Sequence, residues 1–78
     1  LNFGGYKMNR EQIKLLKKHY KKGARVKLIN LSDNFSKFKA GEVGTIKKVD
    51  DMGQIHVNWD NGLQLALIYA LDDFVVIS

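Results

Sequence analysis

The sequence predicts a mainly β fold, a small five-stranded barrel with an N-terminal amphipathic α-helix packed on it. Three observations lead there. Apolar residues recur with a helical period before Gly23 and with a period of two from Ala24 onward. Clusters of Gly, Asp and Asn interrupt the second stretch at short intervals, the punctuation expected of hairpins. The chain has 78 residues, enough for one core, since a domain of this size buries only about 60% of its unfolded surface.

Residues 1–8, which include Gly4 and Gly5, read as a flexible lead-in, and 9–78 as a single domain with a helix over 9–22 and a barrel over 24–77. Asn9 is a good N-cap, Gln12 completes a capping-box pattern, and Met8 with Ile13 has the spacing of a hydrophobic staple. On a helical wheel Gln12, Ile13, Leu15, Leu16, His19 and Tyr20 fall in one half. Arg10, Lys14, Lys17, Lys18, Lys21 and Lys22 fall in the other, and Gly23 is placed to end the helix as its C′ residue.

The strands follow in order. Arg25–Ile29 alternates, with Val26 and Leu28 on one face; residues 31–41 are rich in turn formers and read as a long first loop. Val43–Val49 is a second strand whose Gly44 suggests a bulge or sharp bend. Gln54–Trp59 places Ile55, Val57 and Trp59 together, Asp60-Asn61-Gly62 is a hairpin signal, and Leu63–Ile68 and Phe74–Ile77 complete the set. A long first loop, two tight turns and a brief turn before the last strand is the order of an SH3-like barrel. Two strands are apolar on both faces, Ile29 backing Val26 and Leu28, and Ala66 and Ile68 backing Leu65 and Leu67. The helix is the expected cover for that outer patch.

Composition narrows the chemistry. Cysteine is absent, so neither a disulfide framework nor a thiolate metal site is available. The apolar runs Ala66–Leu71 and Phe74–Ile77 are far shorter than the roughly 20 residues that span a bilayer, and the expectation is a soluble, cytoplasmic protein with no membrane partner. The net charge of +5 conceals an asymmetry: residues 1–27 hold nine Lys/Arg against Glu11 alone, whereas 28–78 hold four against seven acids. A basic arm on a mildly acidic body points to contact with a polyanion.

The run Asp51–Gly62, with QIHV-W-DNG at its centre, followed by Leu65–Ile68 and Asp72-Asp73-Phe74, resembles a small family of bacterial domains of unknown function. Its members occur mainly in Gram-positive bacteria, often on mobile elements, and open with a charged helix and a strand like Gly23–Leu28. The resemblance covers roughly residues 9–77; Ala40 and Tyr69 stand where the family usually has proline. It implies the fold and carries no activity with it. Gly41–Ile46 is also similar, over a short stretch, to the glycine-turn-strand core of KOW-type modules, which bind RNA or ribosomal and transcription partners.

Each candidate site has a plainer reading beside it. The cations of the helix either neutralise phosphates or form a solvated face; a third use, an anionic membrane surface, requires the apolar half to be free, and that half is expected to be docked. Phe35 and Phe38, interleaved with Lys37 and Lys39 in the first loop, either present an aromatic-basic surface or fold back over the barrel end. Trp59 is either the platform of a ligand groove or, by its phase with Ile55 and Val57, core. Asp50/Asp51, Asp60/Asn61 and Asp72/Asp73 sit in turns and read as turn-stabilising groups. No nucleophile motif, P-loop or dinucleotide fingerprint is present, so no cofactor, metal or catalysis is expected. The leading expectation is a non-catalytic binding module that contacts DNA or RNA backbone through Arg10, Lys14, Lys17, Lys18, Lys21, Lys22, Lys37 and Lys39. The alternative is a protein-interaction or self-association module using Phe35, Phe38 and Trp59. The sequence leaves the oligomeric state open.

Overall fold

A computed structural model describes residues 8–30 and 40–78, which form one helix and five strands. Asn9 opens α1 (Arg10–His19): its Oδ1 accepts from the Gln12 N–H at 2.8 Å, while Gln12 Oε1 accepts from the Asn9 N–H at 2.9 Å. This reciprocal pair satisfies amide donors that a helix start otherwise leaves to water. The helix ends sooner than its sequence pattern suggested, at His19, with Tyr20 as C-cap. Tyr20 turns its ring toward Phe74 and Tyr69, centroids 5.5 and 6.0 Å away. Gly23, expected to close the helix, instead donates its N–H to the Ile46 carbonyl, and its φ of 94° suits the turn that leads into the sheet. Lys21 and Lys22 therefore lie in a connecting turn, outside the helix.

The strands are β1 (Arg25–Asn30), β2 (Val43–Val49), β3 (Gln54–Trp59), β4 (Gln64–Ile68) and β5 (Asp73–Val76). They form a single antiparallel sheet in the order β4-β3-β2-β1-β5, so the fold is mainly β, as the change of period predicts. The expected first loop falls largely on residues 31–39, outside the described ones. Register explains the core. Ile55 lies opposite Val49 and Leu67, and Val57 opposite Ile46 and Leu65, so alternate residues of neighbouring strands share one face. That face gathers Val26, Leu28, Ile46, Ile55, Val57, Trp59 and Leu67 into one cluster, joined by Leu16 of α1. Burying a side chain of this kind contributes about 1.5–3 kcal/mol.

Two local expectations are corrected. The irregularity in β2 falls between Ile46 and Lys48, not at Gly44. Gly44 instead permits close packing against β3, because a Cβ there would lie 2.5 Å from Val57 Cγ1 and 2.8 Å from the Asn58 carbonyl oxygen. Nor does the helix cover the outer patch: it contributes Leu16 to the main core, while Ile29 stays 46% exposed beside a register shift between Leu28 and Asn30.

The helix is anchored at the β2–β3 turn. Met8, assigned by sequence to the lead-in, packs against the core, and together with Ile13 it sits over Gly53. A Cβ at Gly53 would lie 2.6 Å from Met8 Sδ and 3.8 Å from Ile13 Cγ1. Lys17 Nζ adds an ion pair to Asp51 of the same turn at 2.8 Å. Asp72 is the buried polar side chain among the described residues, and its carboxylate accepts from the Ile68 N–H at 2.8 Å.

Candidate functional site

The cations of α1 divide by phase. Arg10, Lys14 and Lys18 recur at four-residue steps, so they share one exposed stripe turned away from Leu16. Lys17 points toward the sheet and is the helix cation neutralised by a carboxylate among the described residues. Its ammonium, mainly through the hydrogen bond, holds the Asp51 carboxyl below its ordinary range. Lys21 and Lys22 are exposed in the turn that follows, extending the basic surface beyond the helix. Lys37, Lys39, Phe35 and Phe38, expected at the site, fall outside the described residues.

Cations on the sheet are partly committed elsewhere. Arg25 grips Asp60 with both terminal nitrogens, at 2.8 and 2.6 Å, and donates to Thr45 Oγ1 at 2.9 Å. This fork joins β1 to the end of β3, and the hydrogen bond to Asp60 raises the Arg25 pKa while lowering that of Asp60. Lys27, Lys47 and Lys48 are exposed.

Of the acidic pairs expected to stabilise turns, Asp50, Asn61 and Asp72 accept from nearby backbone, whereas Asp51 and Asp60 pair with Lys17 and Arg25, and Asp73 lies in β5. Asp50 Oδ1 accepts from the backbone N–H groups of Met52 and Gln54 at 3.0 and 2.9 Å, and Asn61 Oδ1 accepts from the Leu63 N–H. His56 Nε2 donates to Asp50 Oδ2 at 2.8 Å, since a carboxylate can only accept. Burial pushes the Asp50 carboxyl up, but the hydrogen bonds from His56, Gln54 and Met52 outweigh it and leave the pKa below its ordinary value. Among the described residues no group of three or more His, Cys, Asp or Glu side chains could hold a metal ion. Nor is any helix there long and apolar enough to cross a membrane.

Trp59 lies in the core, 4% exposed, with its indole Nε1 donating to the Leu65 carbonyl at 3.0 Å. It therefore has little face to offer a groove. The structure instead presents an opening that sequence reasoning missed. Leu15, grouped by the wheel with the buried half of the helix, is 65% exposed, and Gln12 and His19 beside it are exposed too. The stripe that reaches the core is narrower, with Leu16 buried and Ile13 and Tyr20 half-buried. Between Leu15 and the β4–β5 turn runs a groove of about 530 Å³, lined by Met8, Leu15, Lys18, His19, Tyr20 and Tyr69 among others. Tyr20 lines it, edge-on to His19 at 4.9 Å between centroids. Burial, then the neighbouring Tyr69, raises its phenol pKa above the ordinary value. The one sequence signal was an aromatic, Tyr69, directly after an apolar strand; its proximity to α1 is tertiary.

Residues 9–77, from the N-cap of α1 to the residue after β5, match a family described as Domain of unknown function (DUF4314), and the chain belongs to that family. No match was found among the curated proteins or the solved structures compared.

Proposed function

We propose that this DUF4314 domain is a non-catalytic binding module whose basic helix contacts the phosphate backbone of nucleic acid. The observation that carries the reading is the division of the helix cations: Lys17 is tied to Asp51, whereas Arg10, Lys14 and Lys18 stand on the outward stripe and have no carboxylate partner among the described residues. Lys21 and Lys22 continue the surface. The scaffold we assign is an SH3-like barrel, supported by the sheet order, which lays the last strand beside the first. Anchoring at the β2–β3 turn fixes the stripe relative to that scaffold, and a cytoplasmic setting gives it access to DNA or RNA.

Phosphate contacts release counterions, so affinity should fall steeply with salt; about four such contacts give a slope near −4 for duplex DNA in log affinity against log salt. The test is fluorescence anisotropy with labelled oligonucleotides at low salt, comparing the native chain with a Lys14→Glu, Lys18→Glu, Lys21→Glu variant. Binding is expected in the first and lost in the second. A native chain that shows no salt-sensitive binding to any oligonucleotide sinks the reading.

A second reading, protein contact or self-association, draws on the half-exposed Ile29 of β1, Val75 and Val76 of the edge strand β5, and Ile77 after it. A partner held there stays bound at about 0.5 M salt, where phosphate contacts are largely lost.

A further inference from the structure

We infer that the groove between the end of α1 and the β4–β5 turn receives an unpaired nucleobase, so that the nucleic acid bound by the basic stripe is single-stranded. The inference rests on the nucleic-acid reading above and narrows its ligand.

Three features of the groove converge. The first is an aromatic wall: Tyr69 is 52% exposed, His19 is exposed, and Tyr20 backs both of them at ring-centroid distances of 6.0 and 4.9 Å. Half-open rings of this kind offer a π-face, and any of the bases can stack on it. The second is size and polarity. At about 530 Å³ the opening lies within the roughly 300–1,000 Å³ of small-molecule clefts, and Met8 and Leu15 give it an apolar floor. The third is charge. Lys18 lines the groove, and no Asp or Glu among the described residues does. Lys14 lies one helical turn from Lys18 on the outward stripe, and Lys21 and Lys22 follow Tyr20 directly. A phosphate on either side of a stacked base thus meets a cation.

Duplex nucleic acid can use the cations but not the groove, because its bases are stacked on one another and face inward. An apolar peptide can use the apolar lining, but it gains nothing from Lys18. An unpaired strand uses both. It also accounts for the exposure of Leu15 and Tyr69.

The experiment compares the native chain, by anisotropy at low salt, on dT and rU 12-mers and on a duplex of the same length. The single strands are expected to bind about ten-fold more tightly than the duplex. Tyr69→Ala should remove that advantage and leave duplex binding unchanged, while Tyr69→Trp should retain it, since stacking and not the hydroxyl is used. Because Tyr69 touches Tyr20, circular dichroism must show Tyr69→Ala folded. Independently of any variant, the Tyr69 ring protons should shift upfield on titration with the better-bound single strand. Equal affinity for single strands and duplex, or unmoved Tyr69 resonances, overturns the inference. If binding in that case is still lost in the lysine-to-glutamate variant, the backbone reading stands without the stacked base. Shifts of Leu15 and Tyr69 with an uncharged leucine-rich peptide, and none with the oligonucleotides, also overturn it and assign the groove to protein.

Discussion

The sheet and the helix dispose of their apolar residues in opposite ways. Ile55 and Val26 are wholly buried and flanked by partners on both neighbouring strands, and Leu67 of the edge strand β4 is wholly buried against Ile55. In α1 only Leu16 reaches that level of burial, and its neighbour Leu15 is left 65% exposed beside Lys14 and Lys18. A residue of an inner strand is held by ladders on both sides. A short helix lying on one end of a sheet can bury just the stripe that faces it. The difference marks the sheet as the closely packed part and the outer helix face, with Tyr69 of the β4–β5 turn, as the exposed part.

The sharpest way to break this comparison is to truncate one residue from each region. Ile55→Ala should cost about 2–5 kcal/mol, the usual range for an aliphatic core residue cut to alanine. Leu15→Ala should stay within about 0.5 kcal/mol, as surface substitutions do. Urea unfolding measures both, and similar losses would mean that Leu15 is covered in solution. A smaller effect tests how α1 is started. Asn9→Ala removes the acceptor for the Gln12 N–H and should lower stability by about 1 kcal/mol, with a drop in helical circular dichroism. No change would mean that packing of Met8 and Leu16 alone sets the helix start.

The smallest effect concerns the β2–β3 turn on which the helix rests. Asp50 has a folded pKa below its ordinary value, so its stabilisation is complete above the unfolded carboxylate value of about 3.9. It is lost as pH falls through the lower folded value. The stability gap between the native chain and Asp50→Asn should therefore be constant above about pH 5 and shrink below about pH 4. We expect a gap under about 1 kcal/mol, in keeping with a partly solvated pair. A gap that persists unchanged to pH 2 would show that the turn does not depend on the Asp50 charge.

Much of the fold was legible in the chain, and the reasons are specific. Asn9 and Gln12 announce the helix start because capping is local chemistry between residues three apart. The period of two in β3 predicts its buried face because both sides of β3 carry partners. The end of the helix was not legible. Lys21, Lys22 and Gly23 look like a last turn and cap, but Tyr20 is drawn to Phe74 and Tyr69, and Gly23 is claimed by Ile46. These are contacts between distant parts of the chain, which local pattern does not encode. The same limit hid the groove. A wheel assigns Leu15 and His19 to the apolar half, yet which part of that half meets the sheet depends on where α1 docks. Of the candidate site, the stripe of Arg10, Lys14 and Lys18 could be read from spacing. That Lys17 leaves it for Asp51 could not.

The burial of Trp59 has a practical consequence. It is the only tryptophan in the chain, enclosed in the core with its indole hydrogen-bonded to the Leu65 carbonyl, while the groove is lined by other aromatics. Its emission should red-shift when the sheet opens and stay near its folded wavelength when a ligand stacks on Tyr69. The protein thus carries a built-in fluorophore that distinguishes loss of structure from occupation of its surface.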